Sequence, residues 1–137
     1  MENIDKIIGK KVLIIGDIML DSYIWGDVKR ISPEAPVPIL NKNSEVCKLG
    51  GAANVALNIK TLKGEPYIIS IIGDDAAGTT LKNILVENNI QNHLITTTKP
   101  TTEKKRVMSG NNHLLRIDVE DTTYISPKEE NEIYQVV

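Results

Sequence analysis

From Lys11 the chain runs Val12-Leu13-Ile14-Ile15, apolar without a break, and stops at Gly16. A run that short and uniform predicts a strand buried on both faces. Residues 22 to 48 alternate poorly and contain Pro33, Pro36 and Pro38, which predicts short edge or lid strands joined by extended loop. From Ala52 to Leu62 the spacing turns helical, with Val55, Ile59 and Leu62 on one stripe. Lys63-Gly64-Glu65-Pro66 ends that helix, with glycine as its C-terminal cap. Tyr67 to Ile72 reads as the next buried strand, closed by Gly73. Asp74 or Asp75 then caps a second helix running to about Val86 or Asn88, with Ala77, Leu81, Ile84 and Leu85 inward.

Strand, helix, strand, helix in that order predicts a parallel sheet covered by helices. Beyond it the pattern changes. Glu103 to Ser109 and His113 to Val119 predict two half-buried strands of a hairpin around Gly110-Asn111-Asn112. Ser126-Pro127-Lys128-Glu129 is a capping box with proline at the first helical position, opening a helix whose apolar stripe is Ile133, Val136 and Val137. An open sheet that stops a few turns into a fresh helix reads as the N-terminal part of a larger domain.

Composition narrows the class. The 137 residues suffice for one domain with a core, and 41% hydrophobic with 25% charged residues is ordinary for a soluble protein. A net charge of −2 argues against a nucleic-acid or acidic-membrane partner. No apolar run approaches the roughly 20 residues of a membrane span. Met1-Glu2-Asn3-Ile4-Asp5-Lys6 lacks the basic start and apolar stretch of a signal peptide. The lone Cys47 forms no internal disulfide and reads as a half-buried thiol, and the expected compartment is the cytoplasm.

Three places carry candidate chemistry. Gly16-Asp17-Ile18-Met19-Leu20-Asp21 lies just past the end of the first strand, where open α/β sheets bind ligands. Ionised Asp17 and Asp21 only accept hydrogen bonds, which suits polyol hydroxyls; the alternative is a turn residue and a solvated one. No G-x-G-x-x-G dinucleotide pattern is present there. Gly50-Gly51-Ala52-Ala53-Asn54 opens the first helix, where backbone amides are unpaired and glycines admit a ligand closely. Alone such a pair is commonly a structural turn. Asn54 argues for a site, because asparagine is a middling helix former that needs a partner if buried.

The hairpin is the third place. Lys104 and Arg106 are two apart and share a strand face. A three-residue turn pairing Ser109 with His113 puts Arg106 opposite Arg116 and Lys104 opposite Asp118. Facing arginines are unfavourable unless an anion separates them, which points to a phosphate on the ligand. A solvated charged face is the alternative. His93 and His113 have no metal-spaced companions and read as surface residues.

Together these motifs resemble the ribokinase-like (PfkB) carbohydrate kinases. Gly50-Gly51-Ala52-Ala53-Asn54-Val55-Ala56 fits their N-terminal signature, with Gly73 at the end of its spacing, and Gly73-Asp74-Asp75-Ala76-Ala77-Gly78 fits the following G-x-D-x-x-G element. Within the family, the segment from Gly16 to Tyr23, Arg30 to Pro38, and Asn111-x-x-Leu114-Leu115-Arg116-Ile117-Asp118 look like the D-glycero-D-manno-heptose-7-phosphate kinases. Those enzymes, often fused to an adenylyltransferase, make the ADP-heptose of the lipopolysaccharide inner core.

The resemblance implies an α/β fold, a ribokinase-like open parallel sheet with helices on both faces plus a small β-sheet lid. The lid strands would lie within 22–48 and 96–119, and such lids often mediate homodimerisation. Residues 1–137 would be the N-terminal sugar-binding part, with Asp17, Asp21, Gly50, Gly51 and Asn54 on the sugar. Lys104 and Arg106 would meet its existing phosphate, with Arg116 beside them. The family's ATP site, glycine-rich anion hole and catalytic aspartate belong to its second half, and no G-x-G-D element occurs here. No catalytic residue is therefore expected in this chain, ATP and Mg2+ belong to the full-length enzyme, and the chain alone is expected to be inactive. Departures are Lys63 where glycine or serine is usual, Glu103 and Lys105 beside the basic pair, and Asn112 and His113 in place of glutamines. They leave open a kinase for another sugar or sugar phosphate, or a non-catalytic sugar-binding or dimerisation module.

Overall fold

The computed structural model describes residues 4–137; the first three residues of the stretch read for a signal peptide lie outside it. After a short 3-10 turn at Ile4–Ile7, the chain forms β1 (Lys11–Ile15), β2 (Ile18–Ile31), β3 (Pro38–Gly51), α1 (Ala52–Thr61), β4 (Glu65–Gly73), α2 (Ala76–Glu87), β5 (Gln91–Thr97), β6 (Glu103–Ser109), β7 (Asn112–Val119) and α3 (Pro127–Val136). Two sheets result. β1, β4 and β5 make a parallel sheet in the order β1-β4-β5, and β3-β2-β6-β7 make a mixed four-stranded sheet.

The parallel sheet carries the core. Ile68 and Ile72 of β4 meet Leu81 and Leu85 of α2, Ala53 and Ala56 of α1, and Ile18, Leu20 and Leu49 from the base of the second sheet. By the two-residue alternation of a strand, Ile69 and Ile71 point the other way. There they line a small apolar cavity with Ile15 and with Ile133 of α3. Helices thus cover both faces, α1 and α2 on one and α3 on the other.

Two expectations need correction here. β1 is only half-buried on one face, by Val12 and Ile14, and Leu13 and Ile15 on the other remain 48% and 51% exposed. It stands at the edge of this sheet, so a uniform apolar run did not mean two covered faces. The inward stripe of α1 is Ala53 and Ala56 rather than Val55 and Leu62, which are exposed. The helix sits so close to β1 that a Cβ on Gly16 would come within 3.3 Å of Ala52 Cβ. Only small residues fit that separation, so size outweighed hydrophobicity.

The ends of α1 and α2 share one chemistry. Gly64 N–H donates to Ile59 O and Lys63 N–H to Lys60 O, while Ile90 N–H donates to Leu85 O and Asn89 N–H to Val86 O. These are paired Schellman bonds that satisfy the last carbonyls. The left-handed residue is Lys63 (φ 64) after α1 and Asn89 (φ 52) after α2. Gly64 therefore is not the conformational cap that its position implied. It is small because a Cβ there would lie 2.7 Å from Ile59 Cγ2.

The segment 22–48 also departs from expectation. In place of short strands it supplies most of two antiparallel strands of 14 residues each, interrupted by irregularities at Trp25/Gly26 and Val28/Arg30. The prolines do not break them. Pro33 and Pro36 lie in the connection and Pro38 is the first residue of β3, an edge strand, the places where a missing N–H is tolerated.

The β6–β7 register is the expected one, Arg106 opposite Arg116 and Lys104 opposite Asp118. Its turn is not. Ser109 pairs with Asn112 across a two-residue turn led by Gly110 (φ 55), and a register shift at Val107/Met108 absorbs the difference. A tighter turn with a compensating bulge keeps every charged side chain on its predicted face.

The parallel sheet hands the chain to the lid through residues 98–102. Thr101, 2% exposed, accepts from Gly73 N–H at its Oγ1 (2.9 Å) and donates its own N–H to Asp75 Oδ2 (2.8 Å). Asp75 Oδ1 accepts from Gly78 N–H (2.8 Å), capping α2. Added Cβ atoms on Gly73 or Gly78 would run into Lys99 O, Gly73 O or Thr101 at 2.5–2.9 Å. The Gly73 to Gly78 motif is thus a clasp that pins the base of the lid to the core sheet. Leu20 N–H completes the junction by donating to Thr102 O (2.9 Å). At the far end, the Ser126–Glu129 capping box forms as expected.

Candidate functional site

Asp17 occupies the step between β1 and β2 with its side chain exposed. Its carbonyl accepts from Ala52 N–H at 2.9 Å, which ties that step to the start of α1. Gly51, the N-cap of α1, has φ 57 and ψ −135, and a Cβ on it would lie 2.5 Å from the Asp17 carbonyl oxygen. Only glycine fits. A Cβ on Gly50 would lie 2.5 Å from Asp21 Oδ2. The glycine pair therefore makes room for Asp17 on one side and Asp21 on the other, joining four candidate residues in one locked unit. No side chain caps α1. Asn54 stands exposed in its first turn, so its presence there does not rest on a buried partner.

The second sheet presents one charged face. Register puts Asp21 beside Lys104 and Lys48, Tyr23 beside Arg106, and Arg106 and Lys104 beside Arg116 and Asp118. Arg106 Nη1 donates to Asp21 Oδ1 at 2.5 Å, and Arg116 Nε to Asp118 Oδ1 at 2.8 Å. Lys104 lies 3.6 Å from Asp118 and 3.4 Å from Glu120. The Asp21 hydrogen bond raises the Arg106 pKa above its ordinary value, and Arg116 holds Asp118 below the usual carboxylate range.

This corrects the argument that an anion must separate Arg106 from Arg116. The two do face each other, yet each already has a carboxylate of its own, supplied by β2 and β7. Their pairing by itself no longer demands a bound phosphate.

A cleft of about 460 Å³ opens between the end of the parallel sheet and the segment after β7. Asp17, Met19, Thr102, Lys104 and Tyr124 are among its lining residues. Lys99 holds its outer wall by donating from Nζ to the carbonyls of Thr123 (2.8 Å) and Tyr124 (2.7 Å). Of the expected site residues Asp17 and Lys104 line this cleft, whereas Asp21, Gly50, Gly51, Asn54, Arg106 and Arg116 do not.

Sequence reasoning missed Tyr23 and Lys48. The Lys48 ammonium and the Arg106 guanidinium each lie 5.2 Å from the Tyr23 ring centroid, within cation–π range. The signal was present: Lys48 is two residues before Gly50, and Tyr23 two after Asp21, so each shares a face with a residue already singled out. His93 and His113 are exposed, as expected, and Cys47 is half-buried.

Among the described residues, no three His, Cys, Asp or Glu side chains converge as metal ligands. Among the described residues no helix is long and apolar enough to cross a membrane.

Residues 9–136 match the pfkB family carbohydrate kinase model. The bifunctional protein HldE of Hyphomonas neptunium is 44% identical over 136 residues, covering 98% of this chain and 28% of that protein. Ribokinase from Giardia lamblia superposes on 93% of this chain with a TM-score of 0.66 at 18% identity, this being 41% of that structure. Phosphofructokinase-2 from Escherichia coli in complex with fructose-6-phosphate gives 0.67 at 21% identity, over 94% of this chain and 41% of that structure. The chain spans under a third of the length of the curated relatives it matches. With a ribokinase-like parallel sheet, a second mixed β-sheet and the glycine signature at the join between them, the chain belongs to the pfkB family of carbohydrate kinases.

Proposed function

We propose that this chain is the sugar-binding and lid portion of a cytoplasmic, ATP-dependent kinase. Its reaction is phosphorylation of D-glycero-D-manno-heptose 7-phosphate at C1, on the way to ADP-heptose and the lipopolysaccharide core. The observation that carries this reading is the locked unit of Asp17, Asp21, Gly50 and Gly51 beside a cation-rich lid face. Similarity to HldE proteins supports heptose as the sugar.

In this reading the Asp17 and Asp21 carboxylates accept from sugar hydroxyls, and Asn54 both donates and accepts. Gly50 and Gly51 let the main chain approach the ring. Lys104, Arg106 and Arg116 meet the phosphate that the sugar already carries. Orientation by these groups and exclusion of water by the lid are this chain's share of catalysis. The general base, ATP and Mg2+ are supplied by the remainder of the full-length enzyme. A second copy of the chain covers the lid strands in a homodimer.

Phosphoryl transfer by the full-length enzyme, assayed across several sugar phosphates, tests the reading. D-glycero-D-manno-heptose 7-phosphate should give the highest kcat/KM. Arg106→Ala should raise KM for the sugar phosphate with little change in KM for ATP, and Arg106→Lys should recover part of the loss, since a point charge cannot reproduce a bidentate fork. Equal or better turnover of another sugar phosphate would replace heptose in this proposal.

A further inference from the structure

The charged face of the lid sheet bears four cations, Lys48, Lys104, Arg106 and Arg116. Three are neutralised within the chain, Arg106 by Asp21, Arg116 by Asp118, and Lys104 by Asp118 and Glu120. Lys48 is exposed and has no carboxylate partner among the described residues. The uncompensated positive charge of this face therefore resides on Lys48.

Its position is held by Tyr23. Lys48 on β3 and Arg106 on β6 approach the same ring from the strands on either side of β2, each at 5.2 Å. Each contact is favourable, and together they hold both cations beside the one ring. Arg106 commits Nη1 to Asp21 and has further N–H donors to offer. The Tyr23 hydroxyl adds a donor at the ring's edge.

We infer that Lys48, positioned over Tyr23, is the residue that recognises the phosphate monoester of the substrate and selects phosphorylated over free sugar. The inference rests on the sugar-phosphate reading above and reassigns its principal phosphate contact. Lys104 and Arg116 then serve mainly to neutralise Asp118 and Glu120, and Arg106 to hold Asp21. Selection follows from chemistry: a dianion gains most from the cation of this face that makes no ion pair among the described residues, whereas a neutral hydroxyl gains little from an ammonium already hydrated.

Calorimetric titration of this chain with D-glycero-D-manno-heptose 7-phosphate, with the unphosphorylated heptose, and with inorganic phosphate tests it. Lys48→Met should weaken the sugar phosphate by about 10- to 100-fold, as loss of a charged hydrogen-bond partner does. The free heptose should bind unchanged, and Lys48→Arg should restore most of the loss. Thermal unfolding should be unaltered, because Lys48 is exposed. Undiminished preference of Lys48→Met for the phosphorylated sugar would overturn the inference. The inorganic phosphate arm separates it from the heptose reading. If wild type binds phosphate, Lys48→Met does not, and neither sugar binds, then heptose is wrong and Lys48 stands. If phosphate binds both proteins equally, or binds neither, Lys48 is not the anion contact.

Discussion

Thr101 donates its amide to Asp75 at 2.8 Å, so the cap of α2 and the base of the lid share one carboxylate. Burial disfavours charge on Asp75, but the amides of Gly78 and Thr101 and the Thr101 side chain outweigh it and hold the pKa below its ordinary 3.8. A depressed folded-state value contributes stability that is present above the unfolded value and lost as pH falls through the folded one. Lid and α2 should therefore loosen together below about pH 4. Asp75→Asn keeps the acceptor for Gly78 but places an amide nitrogen opposite the Thr101 N–H. Amide hydrogen exchange at pH 7 should then quicken across residues 99–104 while α2 stays protected. Equal exchange in both segments would show that the clasp does not hold the lid.

The two signature glycines should differ in what they tolerate. A methyl on Gly51 meets a backbone carbonyl that is already hydrogen-bonded, at a positive φ. Gly51→Ala should cost about 2–4 kcal/mol by strain and displacement. A methyl on Gly50 meets the side-chain atoms of Asp21 and Met19, which can swing aside. Gly50→Ala should remain folded but lose the Asp21–Arg106 bond. Chemical denaturation and the Tyr23 ring chemical shifts measure the two effects.

Lys63 holds a left-handed conformation (φ 64) in the Schellman turn after α1, at the position where the family signature expects glycine or serine. Lys63→Gly should stabilise the protein by about 1 kcal/mol, removing a Cβ from a strained backbone. That corresponds to a rise in Tm of roughly 3 °C. A fall in Tm would mean that backbone entropy in the unfolded chain dominates instead.

Leu115, Ile117 and Val119 stand on the lid face opposite the arginines and are 51%, 46% and 40% exposed. If a second copy covers them, Ile117→Lys should convert a dimer to a monomer in sedimentation at tens of micromolar with little change in monomer fold. A wild-type chain that sediments as a monomer there refutes the lid-mediated dimer.

Local signals were well read where neighbours along the chain decide the structure. The extent of α2 and its Asp75 cap and the Ser126 box follow from spacing that short-range geometry enforces, whereas the Arg106–Arg116 pairing also needed a bulge to offset a tighter turn. The segment 22–48 was harder. Its alternation is broken by two register irregularities and by scattered charges, so two long strands read as fragments. The same blurred alternation concealed Tyr23 and Lys48.

The amino-acid order by itself determined the parallel α/β class and the side-chain caps of α2 and α3, because each depends on short-range patterns that few residues supply. Tertiary structure alone decided the rest. Parallel pairing of β2 with β6 brings Asp21 to Arg106 across 85 residues of sequence, and no local pattern encodes a partner that distant. That pairing compensates Arg106, while β7 and the residue after it supply the carboxylates for Arg116 and Lys104. Whether a charge is available to a ligand depends on which carboxylate lies within a few ångströms, and only the folded chain sets that distance.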